Sequence, residues 1–206
     1  MSPRGRRPGG GDTRGEIVAA ARAEFAERGY DATSLRAIAR RAGVDPALVH
    51  HYFDGKPALF AEVMTVPISP HVLVESILQV PREQVGQALA TAFFTLWDAP
   101  EAQERLLVVV RGAVTNAPMA RTLREFLAHE IFGRIIGRFG PPDLSQAEIG
   151  IRSGAAAGQL IGVALLRYVL RFPALADAPA EEIVALVGPT LQRYLTAPAD
   201  QSGSSS

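Results

Sequence analysis

Between positions 33 and 53 the chain reads TSLRAIARRAGVDPALVHHYF, and that stretch leaves the backbone little choice. Thr33 is a good N-cap, because its hydroxyl can accept from an otherwise unpaired N–H of a first turn. Leu35, Ile38, Ala39 and Ala42 follow at helical spacing and make one apolar stripe. Gly43 ends that helix, since a residue without a Cβ enters the left-handed region without a clash. Asp45 caps the next helix and Pro46 takes its first position, where a missing N–H costs nothing. Leu48 or Val49, and then Phe53, anchor this second helix, which leaves Ala47, His50, His51 and Tyr52 for its other faces. Two short helices joined this way form a helix-turn-helix, whose second helix enters the major groove of DNA while the first crosses the backbone.

The flanks extend the pattern. Residues 14–28 make a preceding helix with Ile17, Ala21 and Phe25 on one face, closed by Gly29 and Tyr30. After DGKP at 54–57, another amphipathic helix carries Leu59, Phe60, Val63 and Met64. With these flanks the chain resembles the TetR family of transcriptional repressors. The residues that carry the resemblance are FAERGY at 25–30, TSLRAIA at 33–39, AGV at 42–44, and HYFDGK at 51–56 with Leu59 and Phe60. It covers residues 13–64. It implies an all-α fold, with an N-terminal three-helix helix-turn-helix DNA-binding domain over 13–66. A C-terminal helical domain for ligand binding and dimerisation then occupies 67–198.

Charge is distributed in keeping with that division. The whole chain is neutral, but residues 1–56 hold ten Lys and Arg against seven Asp and Glu, and the remainder is acidic by the same margin. A modestly basic surface therefore coincides with the helix-turn-helix. Residues 1–12, with Arg4, Arg6 and Arg7 among glycines and prolines, read as a disordered basic arm able to reach a minor groove. Residues 199–206 read as a disordered, low-complexity tail. Cysteine is absent, so neither disulfides nor thiolate metal sites are available, which suits the cytoplasm. The N-terminal arginines are followed by no apolar segment of the signal-peptide kind. The longest apolar run lies between Arg152 and Arg167, shorter than the roughly 20 residues a membrane span needs.

Beyond PISP at 67–70 the pattern is helical throughout, over 71–79, 82–98, 101–116, 118–139, 144–172 and 179–196. Gly150, Gly154, Gly158 and Gly162 recur every fourth residue and lie close to one face of their helix. Each costs ~1 kcal/mol against alanine inside a helix, so a close approach by another helix is expected to compensate. The family resemblance implies that the last two long helices form a four-helix bundle with a twofold mate. The stripe is therefore assigned to a homodimer interface, on the helices over 118–139 and 144–172.

Catalytic patterns are weak. There is no Gly-rich phosphate loop with a following lysine, no GxSxG elbow and no HExxH. His129 and Glu130 lack a second histidine, and His50 and His51 point roughly 100° apart on a helix. No enzyme activity, metal or cofactor is expected. The resemblance implies instead that phosphates are met by Thr33, Ser34, Tyr52 and Lys56. Ala47, His50 and His51 are expected to face base edges or their flanking phosphates, with Arg36 and Arg40 as further candidates. The two histidines stand where the family often carries aromatic residues, which leaves base preference open. Phe93, Phe94, Trp97, Phe126, Phe132 and Tyr168 are candidates to line an apolar ligand cavity, and Arg111 is the candidate polar anchor. The resulting expectation is a homodimeric repressor that binds a pseudo-palindromic double-stranded DNA operator and is released by a small apolar inducer. The alternatives are a regulator that needs no ligand, and a helical small-molecule-binding protein or enzyme with a vestigial helix-turn-helix.

Overall fold

The computed structural model describes residues 12–65 and 70–198. The expected arm up to residue 11, the tail from 199 and the expected boundary at 66–67 lie outside the described residues. Within them, every regular element is helical.

Asp12 accepts from the amide of Gly15 at 2.9 Å and starts α1, Thr13–Arg28. Ile17, Ala20, Ala21 and Phe25 form its buried stripe, and Gly29, at φ +82°, ends it. Thr33 does not cap the next helix as expected. It is buried, and its hydroxyl donates back to the carbonyls of Gly29 (2.7 Å) and Glu24 (3.2 Å), sealing the end of α1. Ser34 takes the cap instead, accepting from Ala37 N–H at 3.2 Å, so α2 runs Leu35–Ala42. Either hydroxyl suits a cap locally; the packing of Thr33 beneath α1 decides between them. Gly43 is left-handed at φ +68°, Asp45 accepts from Ala47 N–H at 2.8 Å, and α3 spans Pro46–Tyr52. Val49 and Phe53 are its buried anchors, and α4, Gly55–Val63, closes the unit with Leu59 and Phe60.

The second unit contains α5 (Pro70–Leu78), α6 (Val85–Asp98), α7 (Pro100–Thr115), α8 (Ala117–Phe126), α9 (Arg134–Phe139), α10 (Gln146–Ala164), α11 (Pro173–Asp177) and α12 (Ala180–Thr196). A π-helical segment, Leu127–Gly133, joins α8 to α9, and another, Leu165–Val169, follows α10. Sequence periodicity registers these as continuous helices, because one extra residue per turn leaves no signal in a single chain.

Helix α6 crosses α12 at close quarters. A Cβ on Gly86 would fall 2.4 Å from the backbone nitrogen of Gln192 and 2.4 Å from the carbonyl oxygen of Gly188. The Gln192 side chain ties the same crossing, accepting from Gly86 N–H at 2.8 Å and donating to the Arg82 carbonyl at 2.7 Å. By contrast, a Cβ on Gly150, Gly154, Gly158 or Gly162 would meet nothing within 4 Å. The glycine stripe therefore seats no helix among the described residues.

With its π-helical end, α10 forms one helix of 24 residues, long and apolar enough by those measures alone to cross a membrane. The apolar run between its arginines had suggested otherwise. Ser153, Ala156, Leu160 and Ala164 bury one side of it in the core, and Arg152 donates to the carbonyls of Tyr194 and Ala197 at the end of α12. Its opposite side carries the open glycines.

The two units share one continuous apolar core. Phe126 of α8 packs on Phe60 (4.5 Å between ring centroids) and on Tyr30 (5.4 Å), so the wall of the second unit is also the seat of the first.

Candidate nucleic-acid interface and effector cavity

On the helix-turn-helix, Ala47, His50, His51 and Tyr52 all face outward from α3, and Tyr52 is 40% exposed. His51 and Tyr52 meet edge to face at 5.2 Å, a contact that fixes their relative orientation. Arg36 and Arg40 stand exposed on α2 and have no ion-pair partner among the described residues. Arg41, one position on, is already engaged: its guanidinium takes Glu27 at 2.6 Å and Glu24 at 3.1 Å. That grip holds the Glu27 carboxyl below its usual range and clamps α2 to α1. Ser34 stays exposed beside its cap bond.

Two expected phosphate contacts are otherwise occupied. Thr33 is buried, with its hydroxyl spent on α1 carbonyls. The Lys56 ammonium donates to the carbonyls of Thr33 (2.9 Å) and Asp31 (3.4 Å) and sits 4.2 Å from the Tyr30 ring centroid. Burial pushes the Lys56 ammonium below its usual pKa, against the opposing pull of Asp31, Glu130 and Glu125. Here Lys56 acts as a staple for the turn between α1 and α2. Its spacing from Tyr52 gave no hint of that, because the carbonyls it meets lie in the preceding turn.

The second unit holds an apolar chamber of about 170 Å³. Phe93 and Trp97 of α6, Phe126 of α8, Phe132 of the π segment and Leu160 of α10 line it, as do Leu106 and Val109 of α7. Among the described residues, no charged side chain lines it. Three of the expected lining residues stand elsewhere. Phe94 is one position from Phe93 and hence about 100° round the helix, where it packs into the core. Tyr168 lies behind the wall, stacked on Trp97 at 5.4 Å, and its hydroxyl donates to Asp98 at 2.7 Å. Arg111 is on the exposed side of α7 and lines neither the chamber nor the groove beside it.

The chamber wall also carries a set of ties to the helix-turn-helix that no sequence pattern announced. Glu125 of α8 accepts from the amides of Tyr30 (2.7 Å) and Asp31 (3.1 Å). Thr122 donates to the Phe25 carbonyl at 3.1 Å, and Arg121 to that of Glu27 at 3.3 Å. In the π segment, Glu130 accepts from the Tyr30 hydroxyl at 2.8 Å and His129 pairs with Asp31 at 2.6 Å. Burial together with the Glu130 carboxylate pushes the Tyr30 phenol well above its usual pKa, so it stays a donor. These partners lie about 95 residues apart in the chain, beyond the reach of any local pattern.

The helices over 118–139 pack on the chamber and on the helix-turn-helix and leave Arg124, His129, Gly137 and Arg138 exposed. The open side of α10, with Gly154, Gly158 and Ile151 (72% exposed), lies beside α12, whose Leu186 is 76% exposed.

Residues 17–63 match the family model for bacterial regulatory proteins of the tetR family, and residues 83–195 match the tetracyclin repressor-like C-terminal domain. The HTH-type transcriptional regulator BetI of Brucella anthropi is 30% identical over 184 residues, covering 84% of this chain and 89% of that one. An HTH-type transcriptional regulator of Mycobacterium bovis is 30% identical over 131 residues, covering 61% and 59%. The crystal structure of a TetR-family regulator from Streptomyces coelicolor is 31% identical, covering 93% of this chain and 99% of that one, at a TM-score of 0.44.

Proposed function

The chain belongs to the TetR family of bacterial transcriptional regulators, and from that premise we propose that it is a homodimeric, ligand-released repressor working in the cytoplasm. We assign it no catalytic activity, in keeping with the regulators it is similar to. Two copies bind a pseudo-palindromic operator, each placing α3 in a major groove, with the recognition helices ~34 Å apart or at a multiple of it. The open side of α10 beside α12 forms the seam between the copies. A small apolar molecule occupies the chamber and favours a different separation of the two helix-turn-helix units. It can lower operator affinity only by its differential affinity for the two states.

The observation that carries this reading is the double role of α8 and its π segment. Phe126 and its neighbours wall the chamber on one side, while Thr122, Glu125, His129 and Glu130 hold the DNA-binding unit on the other. A side chain displaced by a ligand therefore moves a helix whose other face is bonded to α1.

The test starts from an operator found by selection from a random DNA pool. Trp97, the only tryptophan, is buried in the chamber wall and reports occupancy by fluorescence. Apolar compounds that quench Trp97 are expected to weaken operator binding. A compound panel that changes fluorescence but leaves operator affinity untouched rejects release by ligand. Glu125→Ala is expected to keep the Trp97 response while the ligand's effect on operator affinity falls toward unity. If Glu125→Ala responds as the parent does, α8 is not the route.

The DNA side has its own expected result. Arg36→Ala and Arg40→Ala should each weaken operator and random DNA alike, and each should flatten the salt dependence by about 0.9 in the slope of log K against log salt. Lys56→Met should leave that slope unchanged and lower the melting temperature, because its ammonium is bonded to carbonyls of its own chain. A flattened slope for Lys56→Met would restore the phosphate contact that the family resemblance implied.

A further inference from the structure

The chamber is too small to be the whole site. At about 170 Å³ it falls below the ~300–1,000 Å³ usual for small-molecule sites and has room for roughly one benzene-sized group. It does not stand alone. A wider groove of about 460 Å³ runs between α8 with its π segment and α10. Leu123, Leu127, Phe132 and Ala157 line both spaces, so the two adjoin across these side chains. Taken together, chamber and groove fall within the usual range.

The two spaces differ in chemistry. The chamber is apolar throughout, whereas Arg124, Glu125, His129 and Ser153 border the groove. Three of those four are engaged. Glu125 accepts from the Tyr30 and Asp31 amides, His129 pairs with Asp31, and the Ser153 hydroxyl donates to the Ile149 carbonyl at 2.7 Å. The Arg124 guanidinium has no hydrogen-bond or ion-pair partner among the described residues. Gly150 and Gly154 form part of the groove, and with open space above them they keep it wide where side chains would narrow it.

Building on the effector reading above, we propose that the ligand is an amphipathic monoanion. Its apolar body fills the chamber past Leu127 and Phe132, and its anionic head lies in the groove against Arg124. A neutral hydrocarbon short enough for the chamber leaves the groove to water. A longer body needs the groove, and there a guanidinium can pair with its head. An occupant of the groove also lies against Glu125 and His129, the residues that hold Asp31 and the turn after α1.

Octanoate and 1-octanol, which share a chain and differ in the charge of the head, make the test. Binding to the full chain is followed by Trp97 fluorescence, in the parent and in Arg124→Gln. Octanoate is expected to bind the parent about fivefold more tightly than octanol, the upper end for an exposed ion pair. Arg124→Gln should erase that preference and leave octanol affinity unchanged. Equal affinities in the parent, or a preference that survives Arg124→Gln, would overturn the anionic head while leaving an apolar effector in place. If octanoate, octanol and toluene all leave Trp97 and the melting temperature unmoved, the chamber takes up no ligand and the effector reading fails as well.

Discussion

Replacing Gly158 with leucine is expected to separate the subunits without unfolding them. A Cβ at Gly158 meets nothing within 4 Å, so the larger side chain enters open space on its own subunit. Inside a helix leucine is also favoured over glycine, by somewhat under ~1 kcal/mol. A twofold interface presents the same residue from both copies, so the substitution enters the seam twice. Overpacking a tight contact costs ~1–3 kcal/mol per site by analogy with cores. At ~1.4 kcal/mol per tenfold, two sites raise the dissociation constant by a factor on the order of 10 to 10⁴. Operator affinity falls with the dimer, since a lone helix-turn-helix holds one half-site. Sedimentation of Gly158→Leu, beside a circular dichroism melt, measures both quantities. Folded monomers with weakened operator binding support the seam on α10. A dimer as tight as the parent would place the interface elsewhere.

Gly86→Ala should do the opposite and damage the fold. Its Cβ would lie 2.4 Å from two backbone atoms of α12, a contact that no rotamer change can relieve. The helices must separate, and with them go the Gln192 bonds to Gly86 and to the Arg82 carbonyl. A loss of ~3 kcal/mol, the upper part of the usual overpacking range, is expected. At ~2–4 °C per kcal/mol for a chain of this size, the melting temperature should drop by roughly 6–12 °C. Gly137→Ala, on the exposed side of α9 and outside the seam, is the matched control: its Cβ meets nothing within 4 Å, it gains helix propensity, and it should melt no lower than the parent. An unchanged melting temperature for Gly86→Ala would show that α6 and α12 do not cross this closely.

That contrast marks how far the sequence can be read. The helix-turn-helix was legible because its determinants are local. Gly43 at φ +68°, the Asp45 cap, Pro46 at the first position of α3 and the buried Val49 and Phe53 each act within a few residues of where they stand. The outward set Ala47, His50, His51 and Tyr52 follows from the same spacing. The all-helical character of the second unit was legible for the same reason, since apolar periodicity is a property of each helix alone.

What the sequence left open depends on which surfaces meet. Glycine at every fourth position of α10 looked like a helix seat within reach of a neighbour, yet the close crossing is at Gly86, which stands in no such pattern. Thr33 and Ser34 were equivalent as caps until Thr33 was buried under α1. Lys56 carries a family-like spacing, but its ammonium is committed to carbonyls 23 and 25 residues earlier. Phe93 and Phe94 are chemically identical, and the rotation of α6 alone sends one to the chamber and the other to the core. The ties from Glu125, His129 and Glu130 to Tyr30 and Asp31 join residues about 95 to 100 positions apart. Propensity, capping and periodicity are short-range terms that the chain carries with it. Close approach, cavity shape and the partner of a charged group are set only when distant helices pack, and there the tertiary structure decides.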